Sequence, residues 1–111
     1  MKSIDLPIEF LAILQNEGVS LQTEGVADVA LSPSAARRAI EILKLSKIRI
    51  LGGEVWKREG KRFIPTYDIW NIERSDYLSY EKYTQESLEM ATHQVERCEL
   101  GLEDVFLTLG V

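Results

Sequence analysis

The chain has 111 residues, 45% of them hydrophobic and 28% charged, with a formal net charge of −5. That balance excludes a disordered polymer, and no apolar run approaches the roughly 18 residues that a membrane helix requires. Cys98 is the single cysteine, which excludes an intrachain disulfide and any multi-cysteine zinc site. The charge is segregated along the sequence. Residues 1–36 hold five acids against Lys2, residues 37–62 hold nine bases against Glu41, Glu54 and Glu59, and residues 63–111 hold ten acids against three bases. Such a field can steer a charged partner.

In chain order, the first segment meets Asp5 and then Pro7, so it lacks a signal peptide's apolar centre and a cytoplasmic location is expected. A helix is predicted over about Leu6 to Asn16, capped by Asp5 and left through Gly18 in the left-handed conformation. Phe10, Ile13 and Leu14 share one face of it. Val26 to Ala30 reads as a short extended piece or as a loop that lays Val26 and Val29 on the core. Ser32-Pro33 is a serine cap followed by proline at the first helical position. The helix it starts carries Ala36, Ala39, Ile40 and Leu43 as its apolar stripe and ends near Leu45 or Ser46.

From Lys47 the period changes to two, and Lys47-Ile48-Arg49-Ile50 reads as a half-buried strand. Gly52-Gly53 interrupts it, implying a bulge, a sharp bend or the close approach of another backbone. A hairpin follows, with Trp56 on one arm and Trp70 on the other. A turn at Glu59-Gly60 sets Trp56 opposite Phe63. Pro65 makes the second arm an edge or interrupts it. A long helix is expected from about Asp76 to Cys98, with Tyr80, Thr84, Ser87 or Leu88, Ala91, Val95 and Cys98 inward. Gly101 ends it, and Val105 to Leu109 reads as a closing strand. The expected architecture is therefore one α+β domain over residues 1–111. A small, mainly antiparallel sheet built on a central hairpin packs against about three helices.

No catalytic constellation accompanies these elements. His93 is the only histidine and sits mid-helix four residues after Glu89, without a His-Glu-x-x-His spacing. Lys57 follows the glycine pair, but neither a Walker pattern nor a Gly-x-Gly-x-x-Gly turn is present. No enzyme activity, metal or cofactor is expected, and Cys98 reads as a small buried side chain. Two charged features remain. Lys57, Arg58, Lys61 and Arg62 crowd the hairpin tip beside Trp56 and Phe63, a combination that can hold a phosphate backbone and stack bases, or can equally be a solvated tip with inward aromatics. Glu81, Glu86, Glu89 and Glu96 line the long helix, with Tyr77 near its start. They form either a solvated face or a docking surface for a cationic protein.

The run Ile50-Leu51-Gly52-Gly53-Glu54-Val55-Trp56 followed by Pro65-Thr66-Tyr67-Asp68-Ile69-Trp70 resembles the immunity protein 40 family. Ala30-Leu31, Ala36 and Ala39-Ile40 precede it, and Ser87, Ala91 and Phe106 to Leu109 fit the same pattern further on. Gly52, Gly53, Glu54, Trp56, Asp68 and Trp70 carry the signature. Glu54 stands where the pattern favours aspartate, and Ile69 where asparagine precedes the tryptophan. The resemblance implies a bacterial protein of polymorphic toxin or contact-dependent inhibition systems. Such a protein binds a cognate toxin in the cytoplasm and blocks its active or substrate-binding surface. Nucleases are among the toxins so paired. The alternative that the residues leave open is a small nucleic-acid-binding module acting through the basic hairpin tip.

Overall fold

The computed structural model describes residues 5–74, 79–101 and 104–111. In chain order it contains helix α1 (Ile8–Glu17), strand β1 (Val19–Ser20), a 3₁₀ turn (Gln22–Glu24), strand β2 (Val29–Ala30) and helix α2 (Pro33–Leu45). Strands β3 (Gly52–Glu59) and β4 (Arg62–Asn71), helix α3 (Tyr80–Leu100) and strand β5 (Val105–Gly110) follow. Strands β1 and β2 form a two-stranded antiparallel sheet, and a three-stranded antiparallel sheet has the order β4-β3-β5. This is the expected α+β class.

The three-stranded sheet buries side chains on both faces. Val55, Trp70 and Leu107 join the main core with Phe10 and Ile13 of α1, Ala36, Ala39, Ile40 and Leu43 of α2, and Leu88, Ala91 and Val95 of α3. Trp56 and Phe106 point the other way and meet Leu21 and Ala30 from the β1–β2 segment, with Val19, Val26 and Phe63 at the margin. The two tryptophans therefore fill different cores. Gly53 lies opposite Trp70 and Trp56 opposite Pro65, and positions 53 and 56 of one strand point to opposite faces. Leu31 exchanges both backbone hydrogen bonds with Leu107 at 2.8 Å, which ties the β1–β2 segment to the outer side of β5.

Several boundaries depart from the sequence expectations, each for a local reason. Helix α1 begins at Ile8 with Pro7 as its cap and no side-chain cap bond, so Asp5 does not cap it. Proline pushes the residue before it out of the helical region, which keeps Leu6 outside. Gly18 leaves the helix in an extended conformation (φ −75°), not a left-handed one. A side chain there would collide with Val29 and with the Leu14 carbonyl. Ser32 caps α2 as expected, its Oγ accepting from Ala35 N at 3.3 Å.

Lys47 to Ile50 is not a strand, although Ile48 and Ile50 are buried and Arg49 is half-buried as the alternation requires. The backbone donors go elsewhere. Lys47 N bonds to Lys44 O and Ile48 N to Leu43 O, the paired hydrogen bonds of a Schellman helix end, and Ile50 N donates to Ser87 Oγ at 3.0 Å. This helix end puts Lys47 at φ 56°, in the position that glycine usually fills. Lys47→Gly is therefore expected to raise stability by about 1 kcal/mol, measured as a higher urea midpoint. A lower midpoint would contradict the strain.

The hairpin turn is Gly60-Lys61, not Glu59-Gly60, because Gly60 takes φ 61° at the first position of a two-residue loop. The turn moves by one residue and the pairing therefore by two, so Phe63 faces Arg58, and Trp56 does not pair with Phe63. Phe63 instead meets Phe106 edge to face, with ring centroids 5.3 Å apart. β4 is an edge strand, as Pro65 implied. The irregularity sits on β4 rather than at the glycine pair: Thr66, Tyr67 and Asp68 together face Val55, and Tyr67 adopts φ 65° with its ring 82% exposed. Thr66 Oγ1 donates to Val55 O at 2.8 Å and stitches the irregular segment to β3.

Ser79 caps α3, its Oγ accepting from Lys82 N at 3.1 Å. The expected start at Asp76 lies outside the described residues. Thr84, Ser87, Leu88, Ala91 and Val95 face inward as predicted, but Tyr83 is buried and Tyr80 is 48% exposed. Helix α3 has 21 residues and α2 has 13. The two run antiparallel, with Arg37 beside Glu99 and Glu41 near Val95, so the first turns of α3 overhang the end of α2 and Tyr80 has no helix above it.

Candidate functional site

The glycine pair is a packing device. A Cβ on Gly53 would sit 2.1 Å from the Thr108 carbonyl oxygen and 2.4 Å from the Trp70 ring, and one on Gly52 would sit 2.2 Å from the Trp70 carbonyl oxygen. The Trp70 ring thus lies over bare backbone, which is the close approach that two successive glycines permit. Glu54 faces Ile69 across the ladder, and its N–H donates to Thr108 Oγ1 at 3.0 Å. Glu54 and Ile69 are therefore direct cross-strand neighbours. Asp68 lies 3.7 Å from Arg97 of α3, a loose ion pair. These signature residues build the sheet; they do not converge on a pocket.

Four arginines of the basic segment are matched in three dimensions by acids from both flanks. Arg37 pairs with Glu99, Arg38 with Glu17, Arg58 with Asp104 at 2.6 Å, and Arg62 with Glu24 at 2.6 Å; Lys57 lies 3.4 Å from Glu59. Glu24 also accepts from Phe63 N at 3.1 Å, and its side chain is only 7% exposed, so it clasps the hairpin to the 3₁₀ turn. The Arg58 guanidinium lies 5.1 Å from the Phe106 ring centre. Trp56 is buried and Phe63 packs on Phe106, so the aromatics beside the basic tip offer no stacking platform.

Hydrogen bonds from their arginines hold the carboxyls of Glu17, Glu24 and Glu99 below the usual carboxylate range, with the Phe63 N–H adding to the effect at Glu24. A depressed folded-state pKa contributes stability above the unfolded value of about 4.3, and that contribution is lost as pH falls through the folded value. The urea midpoint is accordingly expected to drop modestly between pH 5 and pH 3, and less so in Glu24→Gln. Equal losses in both proteins would remove Glu24 from this account.

Helices α2 and α3 enclose an open groove of about 950 Å³. Glu41 and Lys44 of α2 and Lys47 after it form one wall. Helix α3 supplies two adjacent i, i+4 ridges, Tyr80-Thr84-Leu88-Thr92 as the floor and Glu81-Gln85-Glu89-His93 as the other wall, with Glu96 beyond. Three expected partner-contacting residues, Glu81, Glu89 and Glu96, come together here. Glu86 lies outside the groove and pairs with Lys82 at 3.2 Å. Tyr77 lies outside the described residues. Sequence reasoning left Glu41, Lys44, Thr84 and Gln85 out of any site. The four-residue repeat Glu81-Gln85-Glu89-His93 was the available signal. His93 is exposed, as its mid-helix setting implied. Cys98 is half-buried, and burial pushes its thiol pKa up, which disfavours the reactive thiolate. Among the described residues, no cluster of histidine, cysteine and carboxylate side chains is arranged to hold a metal ion, and no helix is long and apolar enough to cross a membrane.

Fold and groove together define a small α+β protein with a charged cleft between two helices. The profile of the immunity protein 40 family matches residues 20–109, and the chain belongs to that family. Its match runs from the end of β1 through α2, β3, β4 and α3 to the penultimate residue of β5 and leaves out α1. Comparison with curated proteins and with solved structures finds no match.

Proposed function

We propose that this immunity protein binds a cognate protein toxin in the bacterial cytoplasm and neutralises it by covering its active or substrate-binding surface. In this reading it acts as a stoichiometric inhibitor and not as an enzyme. Family membership supports a toxin as the partner. The observation that carries the contact surface is the groove, where Glu41, Glu81, Glu89 and Glu96 meet on one side of the molecule. A carboxylate-lined cleft complements the basic surface of a toxin that handles nucleic acid, and opposed charge raises the encounter rate. An interface of about 1,600 Å² would be ordinary for such a complex.

Co-expression with a candidate toxin domain tests the reading. Restored growth together with co-purification in a one-to-one complex is the expected result. A folded protein that neither rescues growth nor co-purifies with that domain overturns it.

A further inference from the structure

We propose that the occupant of the α2–α3 groove is a basic amphipathic helix of the partner, an inference that rests on the toxin-binding reading above. Three independent features of the groove point to a helix. First, its floor is a single i, i+4 ridge, Tyr80-Thr84-Leu88-Thr92, and such ridges are the surfaces that helices use to pack on one another. Helix α2 covers the C-terminal part of α3, and its short length leaves Tyr80, at the start of the ridge, half exposed above the buried Thr84 and Leu88. From Tyr80 to Glu96 the groove runs about 24 Å, the length of a four-turn helix.

Second, the floor holds an unanswered polar group. Four side-chain polar atoms among the described residues are buried without a hydrogen-bond partner, and Thr84 Oγ1 is the one that belongs to this groove. Thr84 is 6% exposed, so bulk water does not serve its hydroxyl. Neighbouring Thr92 shows the satisfied alternative, its Oγ1 donating to Leu88 O at 2.8 Å. A polar side chain on a docked helix would give the Thr84 hydroxyl the partner it lacks.

Third, the walls differ in charge. Glu89 and Glu96 are seven residues apart, two helical turns along one side, while Lys44 and Lys47 outnumber Glu41 on the other. The matching helix carries lysine or arginine about two turns apart on one flank and an acid on the opposite flank. Its apolar residues lie between, against the exposed half of Tyr80. Lys47 keeps its cation on this rim in a backbone conformation that favours glycine, which suits a residue retained for contact. An extended strand has no open sheet edge to join here, and a nucleic acid meets four carboxylates.

The test uses the whole 111-residue chain and the toxin domain from which it rescues growth in co-expression. Gln85 is exposed on the groove wall, so Gln85→Trp fills the groove without touching the core. It is expected to weaken the complex about 30-fold or more, while Lys82→Trp, one turn away and outside the groove, stays within about 3-fold. Circular dichroism checks folding, and Gln85→Arg replaces the tryptophan variant if that variant unfolds. In the wild-type complex the amide signals of Thr84, Leu88 and Thr92 are expected to shift. A synthetic peptide of the toxin's basic helix should reproduce those shifts. A complex that tolerates both Gln85 variants, or shifts concentrated on Tyr67 and Ile69 of the β4 edge, overturns the groove while leaving toxin binding intact. Binding through the groove by a toxin segment that is not helical overturns the helix. Absence of any complex with wild-type protein overturns both readings.

Discussion

Trp70→Ala is expected to lower stability by about 3–5 kcal/mol, a large share of what a chain of this size possesses. Trp70 is 7% exposed and reaches the main core from β4, where its ring covers Gly53. Removing it leaves a cavity that the glycine across the ladder cannot fill. Gly53→Ala should destabilise too, by about 1–3 kcal/mol or more, since the added methyl meets the Trp70 ring and the Thr108 carbonyl oxygen. The double variant separates these two collisions. Deleting the indole removes one, but the backbone oxygen 2.1 Å from the new Cβ stays in place, so Gly53→Ala/Trp70→Ala should be no more stable than Trp70→Ala. Urea denaturation of the four proteins measures the cycle. A loss below about 1 kcal/mol for Trp70→Ala would show that the signature tryptophan does not anchor the core. Toxin affinity per folded molecule should be unchanged, since the indole lies away from the groove.

Reversing Glu81, Glu89 and Glu96 to lysine should produce the largest effect on the proposed function. All three are exposed, so the fold should lose little, because surface substitutions of this kind stay near ±0.5 kcal/mol each. Association with the cognate toxin is expected to slow by about tenfold or more at low salt, with growth rescue reduced in parallel. The difference from wild type should shrink as salt rises, since the Debye length falls from about 10 Å at 0.1 M to 3 Å at 1 M. Glu86→Lys is the matched control, because Glu86 faces away from the groove toward Lys82. Stopped-flow kinetics read the result. Equal rates for the folded triple variant and wild type would place the contact elsewhere.

Much of the fold was legible in the sequence because its signals are local. Ser32-Pro33 fixed the start of α2, the three- and four-residue spacings fixed the buried faces of α2 and α3, and Pro65 marked β4 as an edge. Failures arose where a nonlocal partner decides the outcome. Ile48 and Ile50 alternate like a strand, yet their donors are taken by the end of α2 and by Ser87, thirty-seven residues away from Ile50. Tyr80 carries the right spacing for the core but projects past the end of α2, a length difference that no periodicity reports. The hairpin register turned on a single residue of turn chemistry at Gly60. For the candidate site, the carboxylates of α3 were visible and the wall opposite them was not. Glu41, Lys44 and Lys47 come from a segment that reads as simply basic. Only the packing of two helices shows which of its charges stay open to a partner and which are matched by Glu17, Glu24, Glu99 and Asp104.

The separation between the Gly53–Trp70 contact and the α2–α3 groove bears on how such a protein can change over time. The contact is interior and intolerant, because each atom there touches another. The groove walls at Glu81, Gln85, Glu89, His93 and Glu96 are exposed positions on a helix whose inward stripe already secures it. Substitutions there can accumulate singly with little effect on folding, so recognition can drift to a new partner while the scaffold stays fixed. A lineage pressed by altered toxins would therefore diversify along one side of α3 and hold its sheet constant.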